Sequence, residues 1–290
     1  NSIQSLTNTD GLLENSVSAI CYDGLRHGLW IGFSNGKMNF YDLSSSTFSN
    51  YYELSRISQF SSNAIRNFHL HGDSVFVCTD FGISLFQVSR DEFRDTFFRL
   101  GTFDEGIAAQ DAEVFENTLV VATGAGLALG ELTSINLVSP SSWENITNAV
   151  SGEVHAVCNF NDTLFVAAEN GLFMLNGTAL LQHAAASGKK ILALDATEFA
   201  LFALAEDEII EISANGATRT PGDFSAAVSL AACENNAIFL ADTLNSLLEI
   251  SNGETQTHET NSPASNAFAV LGFDADGRLW GSSSYDTSDA

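Results

Sequence analysis

Six histidines, four cysteines and 36 acidic residues are the side chains through which this 290-residue chain could do chemistry. A metal or nucleophilic site needs such residues at defined spacings. His27, His69, His71, His155, His183 and His258 are scattered along the chain without paired ligand spacing and with no nucleophile motif beside them. His69 and His71 share one face of any regular strand, so they read as strand-face residues. Cys21, Cys78, Cys158 and Cys233 lie far apart in apolar segments without a CxxC pair, the pattern of buried thiols rather than zinc ligands or a disulfide framework. GxSxG, P-loop and helix-opening GxGxxG motifs are absent from the sequence, and Gly124-Ala125-Gly126 reads as a hairpin turn. Asp274-Ala275-Asp276-Gly277 opens like a calcium loop, but Arg278, Leu279 and Trp280 stand where further oxygen ligands are due, so it too reads as a hairpin. The sequons at Asn145, Asn161 and Asn176 read as turn residues. The expectation is that no residue is catalytic, binds a cofactor or ligates a metal.

Charge narrows the partners. The formal net charge is −25 from 11 basic and 36 acidic groups, while 45% of residues are hydrophobic and 16% charged. A chain this apolar buries enough surface to offset its conformational entropy, which excludes disorder. Three Lys and eight Arg cannot line a phosphate-neutralising face, which argues against nucleic-acid binding. Residues 1–99 contain seven of the basic groups, whereas residues 100–188 contain ten acids and no Lys or Arg. No apolar run approaches the roughly 18 residues of a membrane-spanning helix.

The elements that must position these residues emerge from a repeat. A hydrophobic triplet recurs as Leu29-Trp30-Ile31, Val75-Phe76-Val77, Leu119-Val120-Val121, Leu164-Phe165-Val166, Leu201-Phe202-Ala203, Ile238-Phe239-Leu240 and Leu279-Trp280-Gly281. Its central residues are 46, 44, 45, 37, 37 and 41 positions apart, the interval of a four-stranded propeller blade. About ten residues before each triplet comes a small apolar segment, then a polar turn such as Asn161-Asp162-Thr163 or Glu234-Asn235-Asn236. A second turn and a third apolar run follow. Short segments between turn signals are strands, and Leu180–Ser187, the one helical candidate, reads as an outer strand or loop.

Seven such units predict an all-β, seven-bladed β-propeller of four-stranded antiparallel blades, forming a single domain over residues 1–290. Trp30, Phe76, Phe165, Phe202, Phe239 and Trp280 would fill the spaces between blades. Only ten residues follow Trp280, so Ser2 to Asn8 is expected to supply an outer strand that closes the seventh blade. That arrangement predicts a segment of a longer, multidomain protein.

The run Asp10 to Ile20, followed by Gly28-Leu29-Trp30-Ile31-Gly32, Asn35-Gly36 and Phe40-Tyr41-Asp42, resembles the two-component-regulator propeller repeat. The second unit, with Asp80-Phe81-Gly82-Ile83 and then Val88 to Thr96, resembles the first propeller of PorZ-type proteins of the type IX secretion system. The latter resemblance implies a non-enzymatic, extracytoplasmic scaffold of a Bacteroidetes-type bacterium, located in the periplasm or at the cell surface and acting through protein partners. The former implies a periplasmic sensor of a hybrid two-component regulator, binding a glycan or other small ligand. A propeller lyase or glycoside hydrolase is the third class, and it would need acids or histidines converging in the channel, with carboxylates about 5 to 10 Å apart.

One collective feature remains. The turns between second and third strands open on one face around the channel, and Asp80, Glu169, Glu206, Asp207 and Asp242 lie on them. Together they form a candidate anionic rim, able to recruit a cation or a basic partner.

Overall fold

The computed structural model describes residues 6–134, 136–150, 152–233, 237–251, 254–258 and 268–283. The turn expected at Glu234 to Asn236 and the segment after Ser283 lie outside these residues. In the first blade, Val17–Asp23, Gly28–Phe33, Met38–Asp42 and Thr47–Tyr51 pair in chain order, each antiparallel to the next. Five further four-stranded blades start at Ile65–His71, Ala109–Phe115, Val154–Phe160, Ile191–Ala196 and Ala227–Ala232. A two-stranded sheet of Phe268–Phe273 and Leu279–Ser283 completes the order. Each first strand touches the first strand of the next sheet, and Phe268–Phe273 touches Val17–Asp23, so the ring is closed.

The repeated triplet forms the second strand of each sheet. In the first five blades these strands are buried almost throughout, because both faces of a blade are covered by neighbours. Trp30, Phe76, Phe165 and Phe202 are buried, while Phe239 and Trp280 pack at the edges of their clusters. The apolar core is correspondingly split into seven clusters, one at each junction between successive sheets. Helical structure among the described residues is confined to short 3₁₀ turns, and Leu180–Ser187 divides between a strand, Ala179–Gln182, and such a turn at Ala184–Ala186.

The blade count differs from the sequence expectation. Among the described residues the chain forms six four-stranded blades, not seven, and no N-terminal strand closes the last sheet. Of the segment Ser2–Asn8 expected to do so, Ser2 to Ser5 lie outside the described residues and Leu6 to Asn8 lead into a turn in which Asp10 N–H donates to the Thr7 carbonyl. The reason is where the apolar side chains go. Leu6, Leu12 and Leu13 pack against Leu29, Ile31, Phe33, Tyr41 and Trp280, filling the junction between the first blade and the two-stranded sheet. Leu13 N–H also donates to Asn39 Oδ1, tying this segment to the first blade. The N-terminal residues thus act as a plug across the closing junction.

Candidate functional site

The inner strands carry several strongly perturbed ionisable groups. An innermost strand pairs on one side only, so its channel edge presents backbone groups that need other partners. Near its start every inner strand also skips one residue in its ladder, at Ser18, Arg66, Gln110, His155, Leu192, Val228 and Ala269. Such a bulge twists the strand and re-aims the side chains beyond it.

Side chains from one blade meet the exposed edge of the next. Asp111 Oδ2 accepts from Val157 N–H of the following blade at 2.9 Å, while its Oδ1 accepts from Ala112 N–H and from Asn67 Nδ2 of the preceding blade. Asp195 repeats the device, accepting from Ala196 N–H at 2.9 Å and from Ala232 N–H of the next blade at 2.8 Å. His69 Nε2 accepts from Val114 N–H at 3.0 Å, and Glu113 accepts from Asn159 N–H. Ser18 works in the opposite sense, its hydroxyl donating to the Ile65 carbonyl. Apart from the bonds to Ala112 and Ala196 within the same strand, each contact ties one blade to its neighbour.

These groups are desolvated, and their acidities follow. Enclosure pushes Asp111 and Asp195 up to about 6 despite the backbone donors that favour their charged forms. Enclosure, with the neighbouring Asp111, raises Glu113 to about 7, and enclosure lowers His69 to about 4. His69 Nδ1 lies 3.8 Å from Glu113, but a histidine held neutral makes no ion pair with it at physiological pH. The thiols respond in kind: desolvation and the carboxylates of Asp195, Glu113 and Asp111 raise Cys158, while desolvation and Asp23 raise Cys21 to about 12. A thiol so suppressed is a poor nucleophile. Sequence reasoning missed the channel acids, although a charged residue inside an apolar strand, as at Asp111 and Asp195, is a legible signal.

The five rim acids fare differently from one another. Asp80 is engaged by Arg66 and by the Ser62 hydroxyl. Glu169 takes Lys190 Nζ at 3.1 Å and His155 Nε2 at 2.9 Å, and these contacts lower its pKa. Asp207 is lowered in the same way by Lys189, whose ammonium sits 2.6 Å away. Asp242 turns inward and is fully buried; its Oδ1 accepts from Leu244 and Asn245 N–H groups and closes its own hairpin. Glu206 is exposed. Three of the five are thus already matched by a base.

One grouping on this face has ligand geometry. The donor atoms of Glu153, His155 and Glu169 lie within 4.8 Å of one another, the one such cluster of His, Cys, Asp and Glu among the described residues. Lys190 on Glu169 and the Gln110 amide on Glu153 occupy the same carboxylates, so the trio stands as a filled ion-pair and hydrogen-bond network. Asp274 behaves as a hairpin residue, its Oδ1 accepting from Asp276 and Arg278 N–H and its Oδ2 from Trp280 Nε1 at 3.0 Å. Asp23 and Trp30 repeat that bond across the hairpin of the first blade.

With this geometry in place, comparison with known proteins becomes informative. Residues 1–144 match the PorZ N-terminal β-propeller domain family of the type IX secretion system. No curated protein matches by sequence. Among solved structures, the PorZ surface component of Porphyromonas gingivalis superposes with a TM-score of 0.60 at 16% identity, over 95% of this chain and 51% of that one. The extracellular domain of BT4673 from B. thetaiotaomicron, assigned to a one- or two-component system, gives 0.71 at 18% identity, over 95% of this chain and 38% of that one. Virginiamycin B lyase from Staphylococcus aureus gives 0.72 at 11% identity and nearly full coverage of both chains, 96% and 94%. At these identities the likeness establishes the propeller fold. The chain spans about half of the PorZ structure and well under half of the BT4673 domain. Among its described residues, no helix is long and apolar enough to cross a membrane.

Proposed function

We propose that this PorZ-like propeller is a non-catalytic, extracytoplasmic binding scaffold that works through protein contacts in an outer-membrane or periplasmic assembly. The observation that carries the reading is the use made of the channel acids. A propeller enzyme needs ionisable groups aimed at a substrate, whereas Asp111, Glu113, Asp195 and His69 are taken up as acceptors for the backbone of the neighbouring blade. The PorZ family match over residues 1–144 supports the assembly role.

The second reading, a ligand-sensing propeller of a two-component regulator, is favoured by the higher TM-score of the BT4673 extracellular domain. Removing this segment in frame from its gene in the source bacterium separates the two, provided the remaining protein is still present in the cell envelope. Loss of type IX cargo secretion with normal transcription is the expected result. Intact secretion with loss of a ligand-induced transcriptional response transfers the assignment to sensing. Conversion of quinupristin by the purified chain, followed by mass spectrometry, overturns the non-catalytic reading.

A further inference from the structure

The face opposite the rim holds a groove between the third and fourth blades. A cleft of about 490 Å³ is lined by Phe115, Val120 and Leu129 of the third blade and by Leu175 of the fourth, beside the start of the outer strand at Trp143, whose indole packs toward the second blade against Phe97. It falls within the size range of ligand-binding pockets. A second hollow of about 230 Å³ adjoins it, shares Glu144 and Thr178 with it, and continues along the outer strand Trp143–Ile146 to Asn148. The two together follow the free edge of that short outer strand.

The charge of this groove is one-sided. Glu116, Glu131 and Glu144 stand exposed along it, and no Lys or Arg lines either hollow. None of the three forms an ion pair among the described residues, in contrast to Asp80, Glu169 and Asp207 on the other face. Nor do they converge as metal ligands. Carboxylates spread along an elongated, apolar-floored groove match a cation that is itself spread out and amphipathic. A compact ion would leave the apolar floor unused, and an acidic partner would meet repulsion along the whole groove.

We infer that this groove binds an extended polypeptide segment of a partner protein in which basic residues alternate with apolar ones. Alternation places the apolar side chains on one face of the segment, against the partly buried Phe115 and Leu175, and the ammonium or guanidinium groups toward the three glutamates. The free edge of Trp143–Ile146 offers backbone pairing to a strand laid beside it. The inference does not depend on assignment to a secretion complex.

The test is calorimetric titration of the intact chain with a capped hexapeptide alternating lysine and leucine, beside the same peptide with glutamate for lysine, and spermine. Binding of the lysine peptide alone is expected, weakening at least tenfold in the variant carrying E116Q, E131Q and E144Q together. Thr178→Trp, which fills the junction of the two hollows while leaving every charge in place, is expected to abolish it. Thermal melts report whether each variant is folded, and restored binding by E116D, E131D and E144D in one chain serves as the control if the glutamines unfold it. Equal affinity for spermine, equal affinity for the glutamate peptide, or full binding by the folded Thr178→Trp variant overturns the inference.

Discussion

At the scale of single residues, the informative side chains are those at odds with their surroundings. Asp111 lies within the strand Ala109–Phe115 and accepts from Val157, Ala112 and Asn67. Replacing it with alanine strands the Val157 and Asn67 donors at a blade junction, so about 1 to 3 kcal/mol of stability is expected to be lost by urea denaturation. A loss of under 0.5 kcal/mol shows that water substitutes for the carboxylate. Glu116 offers the opposite case. It holds φ = 47° in a hairpin whose counterpart in the next blade is Asn161 at φ = 49°, a conformation that favours Asn over Glu. Glu116→Asn is therefore expected to stabilise the fold by about 0.5 to 1 kcal/mol while weakening the lysine peptide. The turn chemistry at Asn161 was plain in the sequence. The hooks were not, because the partner of Asp111 is a backbone N–H 46 residues away, and only ring geometry brings the two together.

At the scale of elements, four-stranded blades were readable because the triplet, the flanking turns and the third apolar run are local patterns with a fixed interval. The closing element was not. Leu6, Leu12 and Leu13 have the same composition whether they enter a strand or plug a junction, and what decides is the pocket among Leu29, Ile31, Tyr41 and Trp280 at the end of the ring. The groove was equally hidden, since Trp143 and Leu175 come from different blades. The plug makes a measurable claim. Changing Leu12 and Leu13 together to serine removes two partly buried apolar side chains, and about 2 kcal/mol of destabilisation is expected. Backbone amides of Val17–Asp23 and Leu279–Ser283 should exchange hydrogen faster while those of Val154–Phe160 stay protected. Uniform acceleration around the ring instead places the weakness elsewhere.

For the whole molecule, the charge of −25 and the channel acids act on stability through pH, and their effects separate. Asp111, Asp195 and Glu113 have folded-state pKa values raised to about 6, 6 and 7, so the native state holds protons that the unfolded chain has released. Their stabilising contribution is complete below the unfolded carboxylate range, near 4, and is lost as pH rises through 6 to 7. His69 works against them. Its pKa is lowered to about 4, so its contribution is present above the ordinary histidine value and lost as pH falls toward 4. Three carboxyls outweigh one imidazole, and above about 6.5 the imidazole no longer opposes them. The chain should therefore be more stable in urea at pH 5 than at pH 8. Repulsion among surface acids has the same sign, but added salt screens it and leaves enclosed groups largely untouched. The part of the pH 5 to pH 8 difference that survives 0.5 M salt should shrink in a chain carrying both Asp111→Asn and Asp195→Asn. If salt alone abolishes the difference, the channel acids are not protonated in the folded state and the pH dependence belongs to the surface.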